Sequence, residues 1–153
     1  MRTIREDYLI KVEGRQEGDG QRDTISLVTK GEFTYRDHSF YITYTETETT
    51  GFDGCTTTVK AAADGRRVSL LRFGAVSSQL IVEKDVRHIC HYETGQGSLS
   101  LGLAADEIRC ELGAKGGRLF FSYLLDFGSE LLSRNSVSIT VKKLVAPDAS
   151  AAS

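Results

Sequence analysis

Residues 88–93 of the run RHICHYET hold two histidines, a cysteine, a tyrosine and a glutamate. Imidazole and thiolate together are zinc ligands, and a histidine beside a cysteine is also the pairing that activates a nucleophile. Either chemistry requires the side chains to converge. In a β-strand they alternate, so His88, Cys90, Tyr92 and Thr94 point one way and Ile89, His91 and Glu93 the other. Only His38, Cys55 and Cys110 remain elsewhere to complete a zinc tetrahedron around His88 and Cys90. The expectation is no metal, with a histidine beside a buried free thiol.

A second constellation consists of charges on faces that otherwise look inward. Arg72 shares a face with Val68 and Leu70, and Glu46 shares one with Phe40, Ile42 and Tyr44. If both faces line one interior, the opposite charges must pair with each other, with water or with a ligand, because an unpaired buried charge is costly. Tyr44, Thr56, Thr58, Gln79, His88, Tyr92 and Tyr123 are further donors and acceptors on candidate inner faces. The arrangement suits a cavity for a small, including an anionic, molecule anchored by Arg72. It also suits, and somewhat better, a self-satisfied Arg–Glu–Tyr network that plugs one end of the barrel.

The elements that must position these residues are strands. Thr, Tyr, Phe, Val and Ile recur in alternation, Pro147 is the sole proline, and most of the 15 glycines fall between alternating runs. About ten strands result. The segment at residues 103–112 contains good helix formers but is read as strand with its neighbours. Sequential strands joined by short turns favour a meander, and a meander of this size removes its edges by closing into an up-and-down barrel. A two-sheet sandwich is the competing outcome.

Length and composition narrow the function classes. The 153 residues fit one domain, read as residues 1–144, with 145–153 as a flexible tail of small and polar residues. The 19 Lys+Arg and 21 Asp+Glu form no long block of one sign, so no nucleic-acid partner is expected. No run approaches the roughly twenty apolar residues of a membrane helix, and the N-terminus lacks a signal-peptide core. Three widely spaced cysteines suit free thiols in a reducing compartment, giving a cytoplasmic expectation. The G-x-G in GQGSL and GDG reads as turn chemistry, and no G-x-S-x-G elbow is present.

The runs FYITYTETETTGFDGCTTTVK, LLRFGAVSSQLIVEKDVRHICHYETGQGSLSLGL and GGRLFFSYLLDF…LLSRNSVSITVK resemble, in that order, the YwiB-like bacterial family, domain of unknown function 1934. The resemblance covers roughly residues 5–143. Its most specific part is Arg72, Gly74, Ala75, Val76, Ser78 and Gln79, followed by His88, Tyr92, Glu93, Thr94, Gly97 and Leu99. It implies an all-β fold, a single antiparallel up-and-down calycin-like (lipocalin-like) β-barrel of about 8–10 strands, and a cytoplasmic bacterial protein. It implies no activity or catalytic residue. Cys90 and His91 depart from the family pattern, in which a small hydroxyl residue and Tyr stand at those places.

These readings converge on a non-enzymatic barrel that binds a small molecule in its lumen, with Arg72, Glu46, His88, Tyr44, Tyr92 and Gln79 around it and no cofactor. One alternative is an enzyme using His88 or Glu46 as general base. Another is a structural or protein-interaction domain, a monomer or a homodimer through a face such as Phe120 and Leu124.

Overall fold

The computed structural model describes residues 5–47, 54–74, 78–94 and 97–144, with the side chains of 92–94 outside the description. The expected tail at 145–153 also lies outside it. Ten strands follow one another with no helix among the described residues: β1 (Tyr8–Gly18), β2 (Gln21–Arg36), β3 (Ser39–Thr45), β4 (Thr56–Ala62), β5 (Arg67–Phe73), β6 (Ser78–Glu83), β7 (Arg87–Thr94), β8 (Gly97–Gly113), β9 (Gly116–Phe127) and β10 (Glu130–Lys143). The segment 103–112 lies wholly within β8. Alternation carries it, because Leu103 and Ile108 go into the core on either side of a bulge between Ala105 and Glu107.

Every ladder is antiparallel, and the sheet order is β6-β5-β4-β3-β2-β1-β10-β9-β8-β7. Each strand pairs with its sequence neighbour except across β6 and β7, while β1 and β10 join the two ends of the chain. The short turns enforce this order. Asp19 and Gly20 both have positive φ between β1 and β2, as do Asp37 and His38 between β2 and β3. That geometry matches the right-handed twist of the flanking strands, and Asp-Gly favours it.

The result is a nearly closed up-and-down barrel with one seam. Strands β6 and β7 start as a hairpin, with a bridge between Glu83 and Val86, but no ladder continues between them among the described residues. Side chains from both halves fill the interior. Ile10, Ile42, Val59 and Val68 meet Leu103, Leu119, Phe121 and Ile139 in one apolar cluster, all essentially inaccessible. Each such side chain contributes roughly 1.5–3 kcal/mol when withdrawn from water. Tyr8, Phe33 and Phe40 add a ring series, edge-on at 5.3 Å and then stacked at 5.8 Å.

Candidate functional site

Register determines which polar groups enter the barrel. Gly31, Tyr44, Thr57, Arg72 and Ser78 face one another in a row across β2 to β6. Glu46 follows β3, tied by its backbone N–H to the carbonyl of Cys55 at 2.8 Å, and is only 3% exposed. Its carboxylate accepts the Thr57 hydroxyl at 2.9 Å and lies 3.6 Å from Arg72 Nη2. The Tyr44 hydroxyl also donates to it. Burial, reinforced by the adjacent Glu46 charge, pushes the Tyr44 phenol far above its ordinary range although Arg72 pulls the other way. Arg72, Glu46, Tyr44 and Thr57 thus form one internally compensated network. Alternation puts Glu46 and Arg72 on inward faces, and the register of β3, β4 and β5 brings them together.

Two assignments made on alternation need correction. Gln79 is exposed and opposes Leu71, whereas Ser78 opposes Arg72, so Gln79 lies on the outward face of β6. Thr57, not Thr56 or Thr58, shares the inner face of β4 with Val59 and Ala61. Thr58 instead meets Thr43 on the opposite face of the sheet at 3.1 Å. Three consecutive threonines conceal their own register, and counting back by twos from Val59 is the signal that finds Thr57. Tyr123 is buried, but it stacks on Phe121 and opposes Asn135 on β10, away from the Arg72 row. Tyr92 lies outside the described side chains.

At the seam, the tempting cluster of β7 separates as alternation requires. His88 is half-buried and Cys90 buried, while His91 is exposed and meets Ser100 through Nδ1 at 3.0 Å. His88 Nε2 lies 3.0 Å from Glu83 Oε1, and Arg67 approaches the same oxygen at 3.7 Å. The Cys90 thiol donates to the Leu101 carbonyl at 3.6 Å, and burial pushes its pKa upward, so it is no activated nucleophile. Among the described residues no group of three His, Cys, Asp or Glu side chains could hold a metal ion.

Where the ladder is interrupted, a cavity of about 250 Å³ opens between β6 and β7. It is lined by Ser78, His88 and Cys90 from the inward faces and by Gln79, Ile81, Ile89 and His91 from the outward ones. The seam therefore gathers His88 and Gln79, which the closed part of the wall would have kept on opposite sides. Ser78 places this cavity directly beside Arg72 in the strand register.

Fold and site together define an all-β up-and-down barrel with a charged internal network and a polar slot in its wall. The chain belongs to the DUF1934 family, a domain of unknown function, whose sequence model matches residues 10–139. The crystal structure of the ywiB protein from Bacillus subtilis superposes with a TM-score of 0.77 at 22% identity, covering 93% of this chain and 96% of that one. This likeness shows the fold. Comparison with curated proteins gives no significant match.

Proposed function

We propose that this protein is a non-catalytic, calycin-like binding barrel that admits a small polar molecule through the seam between β6 and β7. The observation that carries this reading is the seam cavity, which lies where the described residues of the barrel wall form no ladder and which combines inner-face with outer-face donors. Ser78, Gln79 and His91 supply hydrogen-bonding groups, and Ile81 and Ile89 supply an apolar wall. Ile89 is 54% exposed, an arrangement that favours a ligand with one apolar edge.

In this reading the anchor moves from the lumen to the slot. Arg72 is held by Glu46 and supports the slot from behind Ser78, while Tyr44 and Thr57 complete the packing of that network. The same partners occupy the Glu46 carboxylate that a general-base role would need. A reducing, cytoplasmic setting accords with the three free cysteines. No helix among the described residues is long and apolar enough to cross a membrane.

A thermal-shift screen against a library of small metabolites tests the proposal, because a ligand that binds only the folded state raises Tm. The expected result is a hit whose shift disappears in Gln79→Trp, a substitution on an exposed position that fills the slot. A screen with no hit, or a hit indifferent to Gln79→Trp, overturns it.

A further inference from the structure

The outer face of β1, β10 and β9 carries a second depression, of about 430 Å³, unconnected with the seam residues. Its floor is a row of hydroxyls, Ser136, Ser138 and Thr140, on β10. Lys11, Glu13 and Arg15 border it from β1, and Arg118 and Phe120 from β9. The carboxylates nearby are largely committed. Glu13 pairs with Lys11 at 3.2 Å, Glu17 with Arg22 at 3.0 Å and Glu107 with Arg109 at 2.7 Å. Glu111 opposes Arg118 from β8, on the side away from β10, and no ion pair joins them among the described residues. Arg118 Nε donates to Ser138 Oγ at 3.2 Å, which fixes that guanidinium over the floor. Arg15 has no ion pair among the described residues.

Two guanidinium groups thus flank a hydroxyl floor from opposite sides. A fork of N–H donors on each side and hydroxyl donors below match an oxyanion that accepts in three dimensions, as a tetrahedral phosphate does and a flat carboxylate does not. Beyond Arg15, Phe120 and Ser136 the depression continues into a basin of about 290 Å³, bordered by Asp106, Glu107, Arg134 and Asn135. Carboxylate and amide acceptors there suit hydroxyl groups at the other end of the same molecule.

We propose that this groove is a binding site for a small phosphate monoester bearing hydroxyl groups, with Arg15 and Arg118 holding the phosphate over Ser136 and Ser138. The site is separate from the seam, and its test separates the two. Amide and side-chain NMR shifts are followed in the full chain titrated with glucose 6-phosphate, glucose, inorganic phosphate, succinate and a single-stranded oligonucleotide. Glucose 6-phosphate should give saturable shifts at Arg15, Ser136, Ser138 and Arg118, with inorganic phosphate weaker at the same residues and glucose silent. Arg15→Gln and Arg118→Gln should each weaken binding about tenfold or more, as loss of a charged hydrogen bond does. Gln79→Trp should leave it unchanged. Because both arginines lie on the surface, the unperturbed remainder of the spectrum verifies that these variants fold. Absence of saturable shifts, indifference to both arginine substitutions, equal binding of succinate, or tighter binding of the oligonucleotide overturns the assignment.

Discussion

The Arg87 guanidinium crosses over Gly102 on β8 to grip Asp126 on β9 with two hydrogen bonds, Nη2 to Oδ1 at 2.6 Å and Nε to Oδ2 at 3.1 Å. Position 102 opposes Asp126 in the β8–β9 ladder, and a β-carbon there would run into the guanidinium itself. One glycine therefore opens the path by which β7, whose other edge faces the seam, is tied to a strand it does not pair with. This matters for a barrel wall that has no ladder on the seam side of β7 among the described residues.

The pair makes stability depend on pH in a definite direction. The hydrogen bonds from Arg87 hold the Asp126 carboxyl below its ordinary 3.8 despite opposing desolvation, and the Arg87 charge and a backbone hydrogen bond from Ser129 act in the same direction as those bonds. The folded-state pKa is thus lower than the unfolded one, so the stabilisation is complete above the unfolded value and is lost as pH falls through the folded value. Arg87→Gln should lower stability near neutral pH, and the difference from wild type should vanish at the acid end. Urea unfolding across that range measures it; a difference independent of pH contradicts the pairing. Gly102→Val should reproduce the loss by displacing Arg87 sterically.

The network of Glu46 and Arg72 predicts strong non-additivity. Glu46→Ala leaves Arg72 largely buried, with 16% of its side chain exposed, opposite a lost charge. Removing one partner of such a pair costs about 3–5 kcal/mol, whereas replacing both with apolar residues is often neutral. Glu46→Leu combined with Arg72→Met should therefore be more stable than either single variant. A double-mutant cycle by urea denaturation checks this, and simple addition of the two losses rules it out.

How much of this was legible in the sequence depends on how far neighbouring positions differ. In β3, Phe40, Ile42 and Tyr44 mark the inner face, which puts Glu46 inside with Arg72, water or a ligand open as its partner, and the structure supplies Arg72. In β6 the two faces read Ser78, Leu80, Val82 and Gln79, Ile81, Glu83, and hydropathy favours the first as the inner one, so an inward Gln79 runs against the pattern of its own strand. The seam was invisible for a different reason. Consecutive strands normally pair, so a hairpin that opens after one bridge contradicts the local rule that built the rest of the meander. The outer groove depends on which long side chains are already paired, and no strand pattern encodes that. Phe120, read as part of an exposed apolar face, is half-buried with the Arg109 guanidinium 4.7 Å above its ring.

Tyr44 gives the alkaline counterpart of Asp126. Burial beside Glu46 raises the folded-state phenol above its ordinary 10.0, so the proton is held more tightly in the folded than in the unfolded chain. The corresponding stability is fully present below that ordinary value and declines as pH rises beyond it. Wild-type stability should fall more steeply than that of Tyr44→Phe above pH 10.0. Parallel curves contradict the enclosed network.

Gly31 tests how closely β2 and β3 pack at the Tyr44 row. A β-carbon there would press into the Thr43 carbonyl and come within 2.6 Å of Ile10 Cδ1. The isoleucine can shift but the ladder carbonyl cannot. Gly31→Ala should cost about 1–3 kcal/mol, the usual penalty of overpacking, seen as a lower urea midpoint. An unchanged midpoint means that the two strands separate without loss.

The thiols report on the seam. Cys55 and Cys90 are both buried and Cys110 is half-buried, so Cys110 should alkylate first. The two buried thiols differ in their surroundings. Cys90 borders the seam cavity, whereas Cys55 is 1% exposed and lies just before β4, its carbonyl accepting the Glu46 N–H. Opening β6 from β7 exposes Cys90 without breaking a ladder among the described residues, while exposing Cys55 breaks the hydrogen bond of its carbonyl to Glu46 and its close approach to Gly74. Cys90 should therefore react by local opening, at a rate insensitive to dilute urea, and Cys55 only through global unfolding with a steep urea dependence. Mass-spectrometric alkylation kinetics distinguish the two. Gln79→Trp should slow Cys90 alone, and equal slowing of both thiols, or identical urea slopes, shows that the seam does not open independently of the barrel.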